Sequence, residues 1–198
     1  MSRPGVADLR VVADLDPAVW LANPAPGTED TWAARALDAV AEDFGLTKGS
    51  PGHELMREVI DLFAHAEPVA DLRFLRARSP LEPMPVVWVH LLTDDGSHDR
   101  PGPDRILTSF DPAEPWYDAE PHVEVLDPTT GLRRAMMVST RDGVLRTVVR
   151  HHRREPVTGV DILVSCAGLD LRSTALVMAD LDTLAASLQI LDPAGIRR

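Results

Sequence analysis

Residues 132–154 read "LRRAMMVSTRDGVLRTVVRHHRR", two runs of strand-forming residues on either side of Asp142-Gly143. An Asp-Gly pair between such runs is the sequence of a two-residue hairpin, because both central positions of a type I′ turn require positive φ. A two-residue loop also sets the register. Thr140 is predicted opposite Leu145, Ser139 opposite Arg146, Met137 opposite Val148 and Ala135 opposite Arg150. Directly opposed residues share a face, so Met136, Val138, Leu145, Thr147 and Val149 are expected to point into the core. Arg133, Ser139, Arg146, Arg150, His152 and Arg154 are expected on the outer face.

Working outward, 121–127 and 159–166 have the same strand character, set off by "PTTG" and "EPVT", and the four runs form a meander. Matching apolar faces places Val123, Val125, Ile162, Val164 and Cys166 with the core, and His122, Glu124 and Asp161 with the arginines. Further strands are predicted at "DLRFLRARS" (71–79), "PVVWVHLLT" (85–93, apolar on both faces and hence central) and "RILTSF" (105–110). The spacing of Ala33, Leu37, Val40, Ala41 and Phe44 predicts a helix over 28–44, with Thr28 as cap and Gly45 as stop. Ser50 and Pro51 open a second helix, expected to bury Leu55, Val59, Leu62, Phe63 and Ala66 and to end near Pro68. Val177, Leu181, Leu184 and Leu188 give a closing amphipathic helix over 171–191. The fold class is therefore α+β, with a mostly antiparallel sheet of six or seven strands, two N-terminal helices and one C-terminal helix. Residues 1–27, with four prolines and one short strand at "AVWLA", are expected to form an arm, and 28–198 a single domain.

Composition narrows the function. A 198-residue chain that is 44% apolar can bury a core without a metal or a disulfide. One cysteine, Cys166, cannot form an internal bridge, and no run of apolar residues serves as a signal core or membrane span. These features point to the cytoplasm. The net charge of −11 opposes binding to nucleic acid. Nineteen arginines against one lysine, beside many alanines and prolines, fit a GC-rich bacterial genome.

No glycine pattern for a nucleotide phosphate and no nucleophile elbow occurs, and Cys166 falls on an apolar face. His122, Glu124 and His152 are ligand types that suit zinc, but the surrounding arginines repel a cation. Neither a metal nor a cofactor is expected. What stands out is the basic meander: 132–154 holds seven arginines and a single acid, Asp142. Arg133, Arg146, Arg150, His152 and Arg154 form either an ordinary solvated sheet face, with Glu124 and Asp161 as cross-strand partners, or a receptor for an acidic partner. Between Asp111 and Asp127 the chain holds six acidic residues and no lysine or arginine, and it carries Trp116 and Tyr117, aromatics suited to plugging an edge or anchoring an interface.

The segment "VDILVSCAGLDLRSTALVMADLDTLAASLQIL" (160–191), a strand turning into a helix that ends in "AASLQIL", resembles the closing segment of Mog1/PsbP-like proteins over about a sixth of the chain. The resemblance implies an antiparallel sheet with flanking helices and a non-catalytic, partner-binding role. It transfers no functional residue.

The sequence thus favours a cytoplasmic bacterial binding or adaptor protein, an accessory to a larger assembly, whose partner is a protein and not nucleic acid or membrane. Two alternatives remain open: an enzyme or ligand binder holding an anion on the arginine–histidine face, and a self-assembling homo-oligomer. Replacing Gly143 by Val forces a β-branched residue to positive φ and is expected to cost more than about 1 kcal/mol. An unchanged thermal unfolding midpoint would exclude the turn.

Overall fold

A computed structural model describes residues 10–67, 70–93, 101–108, 121–141, 144–156 and 158–191. The elements run β1 (Arg10–Ala13), β2 (Trp20–Ala22), α1 (Glu29–Asp43), α2 (Pro51–His65), β3 (Leu72–Arg76), β4 (Val86–Leu92), α3 (Pro103–Thr108), β5 (His122–Asp127), β6 (Leu132–Arg141), β7 (Val144–Arg154), β8 (Asp161–Leu169), α4 (Leu171–Ser187) and β9 (Leu188–Leu191). Seven strands form one sheet in the order β2-β3-β4-β8-β7-β6-β5, and β1 pairs with β9 in a second. The fold is α+β, as the sequence predicts. The chain forms two compact units, Leu15–Trp88 and the remainder, Met1–Asp14 with Val89–Arg198.

In Leu15–Trp88 the helices form where the capping signals place them. Ser50 Oγ accepts the His53 amide at 3.3 Å with Pro51 at the first helical position, while Thr28 makes no side-chain cap and instead donates to the Ala25 carbonyl. Gly45 follows α1 at φ 60°. Ala33, Ala36 and Val40 of α1 pack with Met56, Ile60, Phe63 and Ala64 of α2, and with Leu75 and Ala77. Trp32 lies 5.7 Å from Phe63 between ring centroids, and the Arg73 guanidinium sits 5.3 Å over the Phe63 ring while donating to the Ala66 carbonyl at 2.9 Å. Arg76 is fully buried and closes the 77–85 connection, donating to the Pro83 carbonyl at 3.0 Å and to Glu82 at 2.7 Å.

The buried face of α2 differs from the expected one. Of the residues expected on that face Phe63 is buried, together with Met56 and Ile60, whereas Leu55 and Leu62 are 41% and 67% exposed. The helix is apolar around more than half of its circumference, so periodicity admits two overlapping stripes. Packing against α1 and β3 selects the one nearer Met56.

In the second unit the meander has the predicted order and register. Ser139 stands opposite Arg146, Thr140 opposite Leu145, Met137 opposite Val148 and Ala135 opposite Arg150; the Asp142-Gly143 turn lies outside the described residues. On β8, Ile162, Val164 and Cys166 share the Val149 face, and Asp161 the Arg154 face, as expected. The expectation for β5 is reversed: Glu124 pairs with Arg134 and Val123 with Ala135, so His122 and Glu124 lie on the Met136 face and Val123 on the arginine face. A β-bulge lies on β5, between Val125 and Asp127.

Nor is either face of the meander simply core or simply solvent. Thr147, Val149 and His151 are buried on the face where α4 packs, and Ala135, Met137, Val148 and His152 are buried on the other, which α3 partly covers. Leu145, expected in the core, is half exposed. Alternation tells which residues share a face but not how far a covering helix extends along it.

Three element assignments also change. Residues 105–108 of the expected strand "RILTSF" belong to α3, which Pro103 opens and in which Thr108 Oγ1 donates to the Asp104 carbonyl. The C-terminal helix stops at Ser187, because Leu188 turns extended (φ −63°, ψ 132°) and 188–191 pair with β1. Val177, Leu181, Leu184 and Leu188 are nonetheless all buried, as predicted. The N-terminal arm contributes β1 in addition to the strand expected at "AVWLA".

The two stripes of α2 are separable by mutation. Ile60→Ala is expected to cost about 2–4 kcal/mol in urea unfolding, and Leu62→Ser less than about 0.5 kcal/mol. Equal losses would show that the helix buries the Leu55–Leu62 side.

Candidate partner-binding face

Strand β7 brings together most of the residues that the sequence singled out. Its alternation sends Arg146, Val148, Arg150, His152 and Arg154 to one face and Thr147, Val149, His151 and Arg153 to the other. The adjacent histidines are therefore in different surroundings.

On the α4 face, His151 Nε2 lies 2.7 Å from Asp182 Oδ1, and Arg134 donates to Asp182 Oδ2 at 2.6 Å and to Glu124 at 2.5 Å. Burial alone would raise the Asp182 pKa, but the His151 hydrogen bond and the charges of His151 and Arg134 outweigh it and hold the carboxyl below its ordinary range. Thr147 Oγ1 bonds the Leu169 carbonyl at 3.1 Å and meets the Thr174 hydroxyl, while Arg153 reaches the carbonyls of Ala186 and Leu188. These contacts fasten α4 along its whole length. Its N-terminus is capped by Asp170, which accepts the Ser173 amide at 2.8 Å.

On the opposite face, His152 is buried beside the equally buried Asp161, with Nε2 3.1 Å from Asp161 Oδ1. Neither ring nitrogen has the direction of a hydrogen bond, so the contact is an ion-pair distance only. Burial pulls the His152 pKa down; Asp161 offsets part of this, while Arg154 and Arg133 add to it. Arg154 approaches Asp161 at 3.3 Å from the exposed side. Arg133 pairs with Asp104 of α3 at 2.6 Å, and Arg150 extends toward the Leu107 carbonyl at 3.4 Å. The expected outer row is thus divided. Arg146 and Arg154 are exposed, Arg133 and Arg150 are half-buried, and His152 is inaccessible, which corrects its placement on an open face.

Arg146 differs from the others. It donates to the Gly168 carbonyl at 2.7 Å, and no carboxylate pairs with it among the described residues. Gly168, at φ 89°, supplies the extra residue of the bulge opposite Thr147 and Val148. Val144, on the same face as Arg146, is half exposed, and so are Leu145 on the opposite face and Leu171 at the start of α4. Sequence reasoning identified Arg146 but not these apolar neighbours, because Leu145 reads as core.

The chemistry open to the site is limited by the same geometry. His122 and Glu124 lie on the opposite face from His152, so the three candidate ligands do not converge. Among the described residues no group of three or more His, Cys, Asp or Glu is placed to hold a metal ion. Burial pushes the Cys166 thiol up to about 12, so it is not a nucleophile near neutral pH. Trp116 and Tyr117 lie outside the described residues. No helix among those residues is long and apolar enough to cross a membrane.

No protein-family model matches the chain, and neither does any curated protein. Among the solved structures similar to it, two share low identity with it. One is LpqN, involved in cell envelope biogenesis of Mycobacterium tuberculosis (13% identity over 92% of this chain and 83% of that one, TM-score 0.43). The other is the cyanobacterial PsbP, CyanoP, from Synechocystis sp. PCC 6803 (12% identity over 94% of each chain, TM-score 0.34). A PsbP-like structure is thus among the matches, and neither of the two is a Mog1 protein.

The buried state of His152 has a pH signature. With its folded pKa below the unfolded value of about 6.5, the unfolded chain takes up the proton first, so stability is full above about pH 6.5 and declines as pH falls below it. His65, whose pKa is raised chiefly by its bond to the Asp61 carbonyl, acts in the opposite direction. A comparison of wild type with His152→Gln therefore isolates the effect: urea unfolding at about pH 7.5 and about pH 5.5 is expected to show a smaller acid-side loss in the variant. The same loss in both would mean that His152 does not titrate differently on folding.

Proposed function

We propose that this chain is a non-catalytic partner-binding protein that receives an acidic protein surface on the β7 end of the meander. The observation that carries the reading is Arg146: it is exposed, it donates to the Gly168 carbonyl with no carboxylate partner among the described residues, and Val144 on its own face is half exposed, at the strand end where Leu145 on the other face is half exposed too. Exposed apolar residues at the same strand end as such a cation have the mixed composition of an interface edge. Burying one such leucine contributes about 2 kcal/mol, and Arg146 adds salt-sensitive steering toward a carboxylate.

Arg150 and Arg154 extend the cationic row, and His152 supports it from beneath through Asp161, which also meets Arg154. Trp116 and Tyr117 belong to the same proposal as sequence positions. We extend the reading to a cytoplasmic adaptor role in a bacterial assembly, which a single cysteine with no internal bridge permits.

The test is capture of partners from the native host on immobilised protein, with Arg146→Glu and the pair Leu145→Ser and Leu171→Ser as variants that retain the wild-type circular dichroism spectrum. Both variants are expected to lose a partner that the wild type retains, with Arg146→Glu losing more at low salt. Retention of every captured protein by both would overturn the reading, and sedimentation showing a wild-type dimer lost in the variants would identify a second copy as the partner.

A further inference from the structure

The leucine stripe that α2 leaves uncovered is a second surface, separate from the meander. Leu55, Val59, Leu62 and Ala66 recur at i, i+4, i+7 and i+11, so they form one line along the helix, about 16 Å long at 1.5 Å per residue. Leu55, Leu62 and Ala66 are exposed, whereas Val59 between them is half-buried and packs against the core. Beside the C-terminal half of the line, Arg57, Glu58, Asp61, Leu62, His65 and Ala66 border an open hollow of about 560 Å³ on the outer side of α2. Exposed leucines two turns apart on a helix can meet the apolar face of a second amphipathic helix laid alongside it.

The charge beside the stripe determines which helix fits. Glu54, Glu58 and Asp61 of α2 flank the leucines on the solvent side, and Asp30 of α1 joins them by holding His65 Nε2 at 3.1 Å. Against these four carboxylates stands Arg57, already bound to Glu54 at 2.9 Å and 3.9 Å from Asp61. The Arg57 pKa is raised, first by its Glu54 bond and also by the charges of Asp61 and Glu58, as an acidic margin requires. A like-charged second copy and an anionic membrane are both disfavoured by this field, whereas a cationic helix gains from it.

We propose that α2 docks a basic amphipathic helix of a partner protein, with that helix's apolar residues on Leu55, Leu62 and Ala66 and its lysines or arginines against Glu54, Glu58 and Asp61. The spacing of the stripe supplies the anchors and the acidic flank supplies orientation and salt sensitivity. A helix of three to four turns covers the line.

The probe is a fluorescent synthetic helix of about 18 residues with leucines on one face and lysines on the other, titrated with the whole protein by anisotropy. A Leu55→Ser, Leu62→Ser variant is expected to bind about tenfold more weakly. Glu58→Lys is expected to weaken binding at low salt and to flatten its salt dependence. A peptide of identical composition with its leucines spread around the helix separates docking from general attraction to an acidic protein, and is expected to bind far more weakly. Equal binding of the two peptides, equal binding by wild type and the leucine variant, or no binding to the wild type overturns the proposal. So does a wild-type dimer dissolved by Leu62→Ser, which would make the occupant a second copy.

Discussion

The contact on which the second unit depends is the carboxylate of Asp182 between His151 and Arg134. A histidine at 2% exposure in the middle of a strand is tolerable only if something beyond the sheet meets its polar edge, since an unpartnered buried polar group costs about 1–3 kcal/mol. Asp182 meets it from α4, and Arg134 turns to the same carboxylate while remaining bonded to Glu124 on β5. One acidic side chain thus ties a helix to two strands, and a third strand through Arg134. Packing of Val177, Leu181 and Leu184 supplies the bulk of the burial, but Asp182 specifies the rotation at which α4 lies on the sheet.

The arginines of the meander mostly serve the same purpose. Arg133 binds α3 through Asp104, Arg153 binds the end of α4 through backbone carbonyls, and Arg154 covers the buried His152–Asp161 pair. Guanidinium groups suit this work because several donors on a long stem can meet a carboxylate or a carbonyl beyond the edge of a strand. A run of basic residues in the sequence therefore becomes a set of clamps, and Arg146, bonded to the Gly168 carbonyl, is one that has no carboxylate partner among the described residues.

In Leu15–Trp88 the same surplus appears in apolar form. The α1–α2 contact uses alanines on one helix and Met56, Ile60 and Phe63 on the other, which allows close approach along a narrow seam. A seam of that width cannot also cover Leu55 and Leu62 on the far side of α2. The exposed stripe follows from the geometry of the packing and not from any lack of hydrophobicity in the helix.

The sequence by itself determined the strands of the meander, the register of the β6–β7 hairpin, the two N-terminal helices with the Ser50–Pro51 start, and the buried stripe of α4. Each of these follows from local rules: turn chemistry, period two, period 3.6 and capping. The same rules identified Arg146, Arg150 and Arg154 as sharing a face. Only the tertiary structure decided which stripe of α2 is buried, that His152 is enclosed beside Asp161, that His122 and Glu124 lie on the opposite face from it, and that 103–108 coil into a helix. The reason is physical. Periodicity fixes which side chains travel together, but burial is a property of pairs of surfaces. When a helix carries apolar residues around much of its circumference, or a strand carries arginines and valines on the same face, the covering element makes the choice, and that element lies far away in the chain.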